Sequence, residues 1–436
     1  MPESPPVASA QDHHSASAGK VRRRAEFLEH CGSATRRIHE PILDLLETRG
    51  HLNPAGLGEA RALASEGSVG QSSVGFETLA LYAAADEAGR AAYGGAEYAI
   101  VKTPEADAVC AKFAALHGGA GAVICPSGLS AIATTIDAFA PAVLLVPESI
   151  YYPAYRYMSE ANRAEIRVYP ANASGENVAG LLAEASARAA PSDILLYLEA
   201  PGSGTFEIPD IAGMVAAAHG AGVRTVMDNT WASHVRFKPL AHGIDIVVQA
   251  TTKYEGGYGD TPSGVVVARG EADLARLARR LRISGNGAVS PQTCLRLLDR
   301  METTAARLDR HEATANALME WFERQPFVAE IFSPVRVGSP DHERFKTYFS
   351  GGNGLFTVAF KAGLSVERVS DFIDALLLFR VAESWGGHVS LVLPMHPPHR
   401  DARMLAAGKL FRFHAGLEDV GDLLNDLEQA MRHLQV

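Results

Sequence analysis

Asp228 closes the apolar run VRTVMD, and Lys253 follows a second run, DIVVQATTK. In an open parallel sheet, residues just past the carboxyl ends of strands line the ligand crevice. A single carboxylate and a single amine delivered there have a joint use. The amine can form a Schiff base with pyridoxal 5′-phosphate (PLP), and the carboxylate can pair with the pyridinium nitrogen and keep the ring an electron sink. Taken alone, the two residues fit a structural Asp–Lys ion pair equally well.

Their surroundings add weight. Thr251 and Thr252 precede the lysine; Gly256-Gly257 and Gly259-Asp260 follow it. Upstream, the segment ICPSGLSAIATTIDAF carries an apolar run into Pro126-Ser127-Gly128 and then a helix-like stretch. A glycine turn feeding a helix N-terminus offers free N–H groups and the positive dipole end to a phosphate. A plain strand–helix turn would look the same.

The elements that must position these residues are regular from Thr103 onward. Thr103-Pro104-Glu105 is a helix start, with a capping hydroxyl and proline at the first helical position. Seven apolar runs then alternate with helical segments: GAVIC, AVLLV, EIRVYP, DILLYLEA, RTVMD, DIVVQA and GVVVA. That alternation specifies an α/β fold with a mostly parallel seven-stranded sheet covered on both faces. A long helical segment runs from about Pro291 to Arg324. Strand-like VAEIF, LFTVAF and HVSLVLP then mix with helical VERVSDFIDALL and DVGDLLNDLEQAM, which predicts a smaller α+β C-terminal domain. The expected organisation is a disordered tail over 1–20, an N-terminal helical arm over 21–97, a large domain over 98–290 and a small domain over 291–436. In the arm, Phe27, Leu28, Ile38, Ile42, Leu45 and Leu46 have helical spacing, and Arg22, Arg23, Arg24, Arg36 and Arg37 are expected on its solvated face.

Composition excludes several classes. With 436 residues the chain exceeds what one core can bury. A formal net charge of −10 makes neither nucleic acid nor an anionic membrane a natural partner. No apolar run is long and uncharged enough to span a bilayer. Cys31, Cys110, Cys125 and Cys294 have no metal-type spacing, and the adjacent His13 and His14 make no ligand set, so no metal is expected. Reduced cysteines point to the cytoplasm.

The chain resembles the Cys/Met-metabolism PLP-dependent enzymes of fold type I, and within them the bacterial cystathionine β-lyase branch. Five segments carry the likeness in order, from about Tyr98 to the C-terminus: YLEAPGSGTFEIPDI, MDNTWAS, QATTKY, ESWGGHVSLVLP and LFRFHAGLEDVGDLLNDL. The Trp of S-W-G-G belongs to the β-lyase branch. The resemblance implies that PLP is the cofactor and an amino acid the substrate. It implies that Lys253 holds PLP and moves the Cα proton, that Asp228 pairs with the ring nitrogen and that Tyr151 stacks on the ring. Gly128 and Leu129 would present N–H groups to the phosphate, and Thr251 a hydroxyl. Arg412 would clamp the substrate carboxylate, helped by Ser384 and Trp385.

The resemblance also implies a homodimer or homotetramer with shared sites, Tyr98 reaching a neighbour's cofactor. Ile100 stands where the family has an arginine, and Lys102 is the nearest replacement cation. His388-Val389 stands where β-lyases have an aromatic and a glutamate. The expected reaction is cleavage of a C–S bond by β-elimination. The alternatives are γ-elimination or γ-substitution in specialised metabolism, and a non-catalytic relative kept for assembly.

Overall fold

Short runs of branched aliphatics alternate with small-residue helices, and the chain winds them into one sheet. The structure is a computed structural model that describes residues 23–39, 103–395 and 409–434. Most of the expected arm, the tail, Tyr98 and Lys102 lie outside the described residues. The strands of the large sheet are β1 (Gly121–Cys125), β2 (Val143–Pro147), β3 (Glu165–Tyr169), β4 (Ile194–Glu199), β5 (Arg224–Asp228), β6 (Ile246–Gln249) and β7 (Gly264–Ala268). Their spatial order is β1-β7-β6-β5-β4-β2-β3. Only β7 runs against its neighbours, β1 and β6. The strands β2, β4, β6 and β7 are buried throughout, as both-face coverage by helices requires.

Helix α1 (Pro104–His117) starts as expected: the Thr103 hydroxyl accepts from Ala106 N–H at 3.2 Å. It stops at Gly118, whose φ of 72° is the left-handed conformation glycine adopts freely. Helix α2 (Gly128–Phe139) follows β1 and is capped by the Ser127 hydroxyl. Beyond β7, the long helical segment is two helices, α3 (Pro291–Met301) and α4 (Thr304–Glu323), broken at Glu302-Thr303. No proline or glycine marks that break, so helical periodicity ran through it.

The second sheet has five strands: β8 (Val328–Phe332), β9 (Leu355–Phe360), β10 (Arg380–Val381), β11 (Leu391–Pro394) and β12 (Lys409–His414), in the order β10-β11-β12-β9-β8. The two-residue β10 was too short for a sequence pattern. Helix α4 packs on β8 and β9, and helices α5 (Val366–Ala375) and α6 (Val420–Met431) complete the layer. The core between them is aromatic. Phe356 and Phe413 stack with centroids 5.5 Å apart, and Phe322, Phe360, Phe372 and Phe379 are buried around them. Truncating one such ring to alanine costs about 3–5 kcal/mol.

Residues 23–28 and 33–39 are helical and dock on this second core through Leu28 and Cys31. Arg24 corrects an expectation. It is buried rather than solvated, and its guanidinium donates to Leu377 O. The aliphatic stem crosses the apolar contact, and Asp426 opposes part of the desolvation. Among the described residues no helix is long and apolar enough to cross a membrane.

Candidate active site

Five strands of the large sheet end on one edge, and each delivers a polar group there. Strand β1 leads into Ser127-Gly128, β2 into Tyr151, β4 ends at Glu199, β5 at Asp228, and β6 leads to Lys253. Glu199 and Asp228 are register partners on adjacent parallel strands. Both are buried. Asp228 Oδ1 accepts from Thr230 N–H at 2.9 Å, and Oδ2 meets the Tyr197 hydroxyl at 3.4 Å. Glu199 accepts from Tyr151 N–H at 2.7 Å and from the Ser203 hydroxyl at 2.6 Å. Burial and the neighbouring Asp228 push the Glu199 carboxyl up to about 8, and burial likewise raises Asp228. Among the described residues Asp228 has no ion-pair partner within 4.0 Å. The strand-end ion pair considered from sequence is therefore absent.

Lys253 faces the second sheet instead. Its Nζ donates to Ser384 Oγ at 2.6 Å and lies 5.0 Å from the centre of the Trp385 ring. Burial, then the Arg412 charge, lower its pKa to about 8, against Glu383 and Asp228. Arg412 projects from β12, and its Nη2 donates to Ser384 O at 3.0 Å. Ser384 thus touches both cations. The segment 384–387 lies tight against the lysine. Gly386 has φ 81°, and a Cβ there would come within 2.9 Å of the Lys253 carbonyl carbon, so only glycine fits.

The turn after β1 packs closely against the chain that follows β6. A Cβ on Gly128 would sit 2.4 Å from the Ala250 Cβ, so Gly128 lies directly on the chain leading to Lys253. The first-turn N–H groups of α2, including those of Gly128 and Leu129, are those that a helix leaves without an intrahelical acceptor. Leu129 is partly exposed there. Thr251 behaves differently from its neighbours. It is fully buried, and its hydroxyl proton goes to Ser263 Oγ at 2.7 Å. Tyr151 is open to solvent on one side. Burial, Asp228, Glu383 and Glu199 raise its phenol pKa, and Arg412 opposes them.

Glu383 was missed in the sequence. It is exposed, yet its charge acts on Lys253, Arg412 and Tyr151. The signal was available: an acidic residue directly before Ser384-Trp385. His414 was missed too. It is buried two residues beyond Arg412, and its Nε2 lies 3.1 Å from Gly386 N and 3.0 Å from Gly387 O.

The edge of the large sheet thus gathers a partly buried amine, a buried carboxylate and a helix N-terminal turn, and the second sheet sets a guanidinium against them. Residues 65–432 match the Cys/Met metabolism PLP-dependent enzyme family, and the chain belongs to that family. The cystathionine β-lyase MetC of Escherichia coli strain K12 is 33% identical over 322 residues, 72% of this chain and 80% of that protein. An L-alanine/L-glutamate racemase of Wolbachia pipientis wMel is 30% identical over 345 residues, 77% and 83% of the two chains. The crystal structure of cystathionine γ-synthase from Xanthomonas oryzae pv. oryzae superposes with a TM-score of 0.73 at 27% identity, covering 84% of this chain and 92% of that one. The fold is type I of the PLP-dependent enzymes, and PLP is the cofactor. The residues present fit it. A buried carboxylate with no cation within 4.0 Å among the described residues suits a pyridinium nitrogen, and the helix N-terminus that opens at Gly128 suits a phosphate.

Proposed function

We propose that this enzyme is a C–S lyase that cleaves a cysteine-conjugate amino acid such as cystathionine by β-elimination. The overall change is R–S–CH2–CH(NH3+)–COO− plus water to R–SH, pyruvate and ammonium. The observation that carries the reading is the Lys253–Ser384–Arg412 contact. It sets a proton-accepting amine beside a carboxylate-binding fork, which an α-amino acid needs at one carbon.

The residues divide the work as follows. When bound, PLP supplies the electron sink that makes the Cα–H acidic. Asp228 would hold the pyridinium nitrogen, and the Gly128 and Leu129 N–H groups the phosphate; the Thr251 hydroxyl expected there gives its proton to Ser263 instead. Tyr151 would cover the ring. Arg412 binds the substrate carboxylate in a planar fork, with Ser384 and the Trp385 backbone fixing its angle. Lys253, with its pKa lowered to about 8, takes the proton from Cα. The Trp385 ring beside it excludes water. Glu383 at the mouth favours a second ammonium, such as the distal amine of cystathionine. The β-lyase relatives and the S-W-G-G segment support β-elimination over γ chemistry.

A product screen tests the reading. Holoenzyme offered cystathionine, cysteine, methionine, homoserine esters or alanine should give pyruvate, ammonia and homocysteine from cystathionine. A 2-oxobutyrate product would move the assignment to γ-elimination, D-alanine to racemisation, and no turnover to the assembly relative. We also propose that the enzyme is a homo-oligomer with shared sites. Tyr151, Tyr152 and Leu129, all exposed large side chains, support it. Light scattering of an active monomer would exclude it.

A further inference from the structure

Residues 23–39 lie outside the family match, which begins at residue 65, yet they reach the part of the chain that frames the site. His39 Nε2 lies 2.9 Å from Glu418 Oε1, and both side chains are fully buried. The same carboxylate accepts from Ser390: Oε1 from its N–H at 2.7 Å, Oε2 from its hydroxyl at 2.9 Å.

Ser390 is the far end of the segment that carries Ser384, Trp385 and Gly386. β12 and its continuation hold that segment along its length. Arg412 holds Ser384 O, His414 holds Gly386-Gly387, Leu417 N–H donates to His388 O at 2.9 Å, and Gly416 N–H donates to Ser390 Oγ at 2.9 Å. Glu418 ends this series. A buried carboxylate needs its donors, and removing one leaves it poorly compensated. Among the described residues the remaining donors are on Ser390, so the carboxylate's position and that of Ser390 are linked.

We propose that His39 is a positioning residue for the substrate-carboxylate pocket, acting through Glu418 and Ser390 on segment 384–390. The N-terminal helix, foreign to the family match, is then part of what sets the angle of Ser384 toward Lys253 and Arg412. This rests on the reading of Arg412 and Ser384 as the carboxylate site.

Four variants test it in the full-length holoenzyme. His39→Leu removes the donor, and His39→Gln keeps an N–H at similar reach. Leu28→Ala loosens the docking of the preceding helical stretch, 23–28, away from Glu418, and Arg412→Lys is the benchmark for the pocket. Steady-state constants with cystathionine are read beside melting temperature and hydrogen–deuterium exchange of segment 384–390 in the apoprotein. His39→Leu should raise KM about tenfold, with kcat within about twofold, the scale of one lost hydrogen bond to a charged group. Exchange over 384–390 should quicken. His39→Gln should restore both. Leu28→Ala should lower the melting temperature and change neither.

Unchanged KM and exchange in His39→Leu overturn the proposal, as does Leu28→Ala reproducing both effects, which would mean the helix docks and does nothing more. If Arg412→Lys leaves KM unchanged, the pocket reading itself fails, and exchange of 384–390 alone decides whether His39 acts on that segment.

Discussion

Ser384 Oγ receives its hydrogen bond from Lys253 Nζ at 2.6 Å while the serine backbone sits in the left-handed region, φ 77°. That conformation costs a non-glycine residue roughly 1–2 kcal/mol. It persists because the Ser384 carbonyl is held by Arg412 and the following turn by His414. The second sheet therefore sets the lysine's environment as much as the strand that leads to it.

Arg412→Lys keeps the charge and loses the fork. Losing a charged hydrogen bond costs about 1.5–3 kcal/mol, so kcat/KM for any amino-acid substrate should fall about 10- to 100-fold. The visible spectrum of the holoenzyme should stay unchanged. Near wild-type kcat/KM would place the carboxylate elsewhere.

Glu383→Gln should raise KM for cystathionine about 2- to 5-fold, the scale of an exposed charge pair. It should leave KM unchanged for an S-alkyl cysteine that has no distal ammonium. The effect should shrink at high salt, because the carboxylate is open to solvent. Equal changes for both substrates would remove Glu383 from substrate choice.

The amine of Lys253 should report its own environment. Only the neutral amine captures an aldehyde, so the rate of covalent capture of added PLP by apoprotein should rise with pH to a half-point near 8. Arg412 depresses that pKa, so Arg412→Met should move the half-point up. Glu383 raises it, so Glu383→Gln should move it down. A half-point at the ordinary lysine value of about 10.4 would mean the amine is solvated.

Asp228→Asn should separate stability from function. Burial raises the folded-state pKa of Asp228, so the folded apoprotein holds that proton more tightly than the unfolded chain does. Its contribution is present in acid and declines as pH rises from the unfolded value of about 3.9 through the folded one. Apo Asp228→Asn should therefore melt above apo wild type at neutral pH and converge with it in acid. The holoenzyme should lose activity by about two orders of magnitude or more, the scale of a lost preorganised charge. Melting curves in which the apo variant is less stable at pH 7 would contradict the account.

The sequence showed what burial dictates. Runs such as VLLV in β2 and VVVA in β7 are apolar because both faces are covered, and all seven strands of the large sheet lie where the runs read from sequence occur. It did not show that β7 is antiparallel, because GVVVA reads alike in either direction. The α3–α4 break has no Gly or Pro to announce it. Arg24 looked solvated because its partners, Leu377 O and Asp426, lie far along the chain. Lys253, Arg412, Ser384 and Trp385 were legible as a set because each sits in a motif. Their distances to one another were not, and neither was Glu383, whose reach depends on a turn that motifs do not describe. The link between His39 and Glu418 joins residues with no shared pattern.

The central claim is that Lys253 holds the cofactor. Borohydride reduction of the wild-type holoenzyme, followed by proteolysis and mass spectrometry, should find pyridoxyl phosphate on the peptide containing Lys253. Lys253→Ala should show neither the label nor the visible absorbance band. A label of the same mass persisting in Lys253→Ala would contradict the account at its centre.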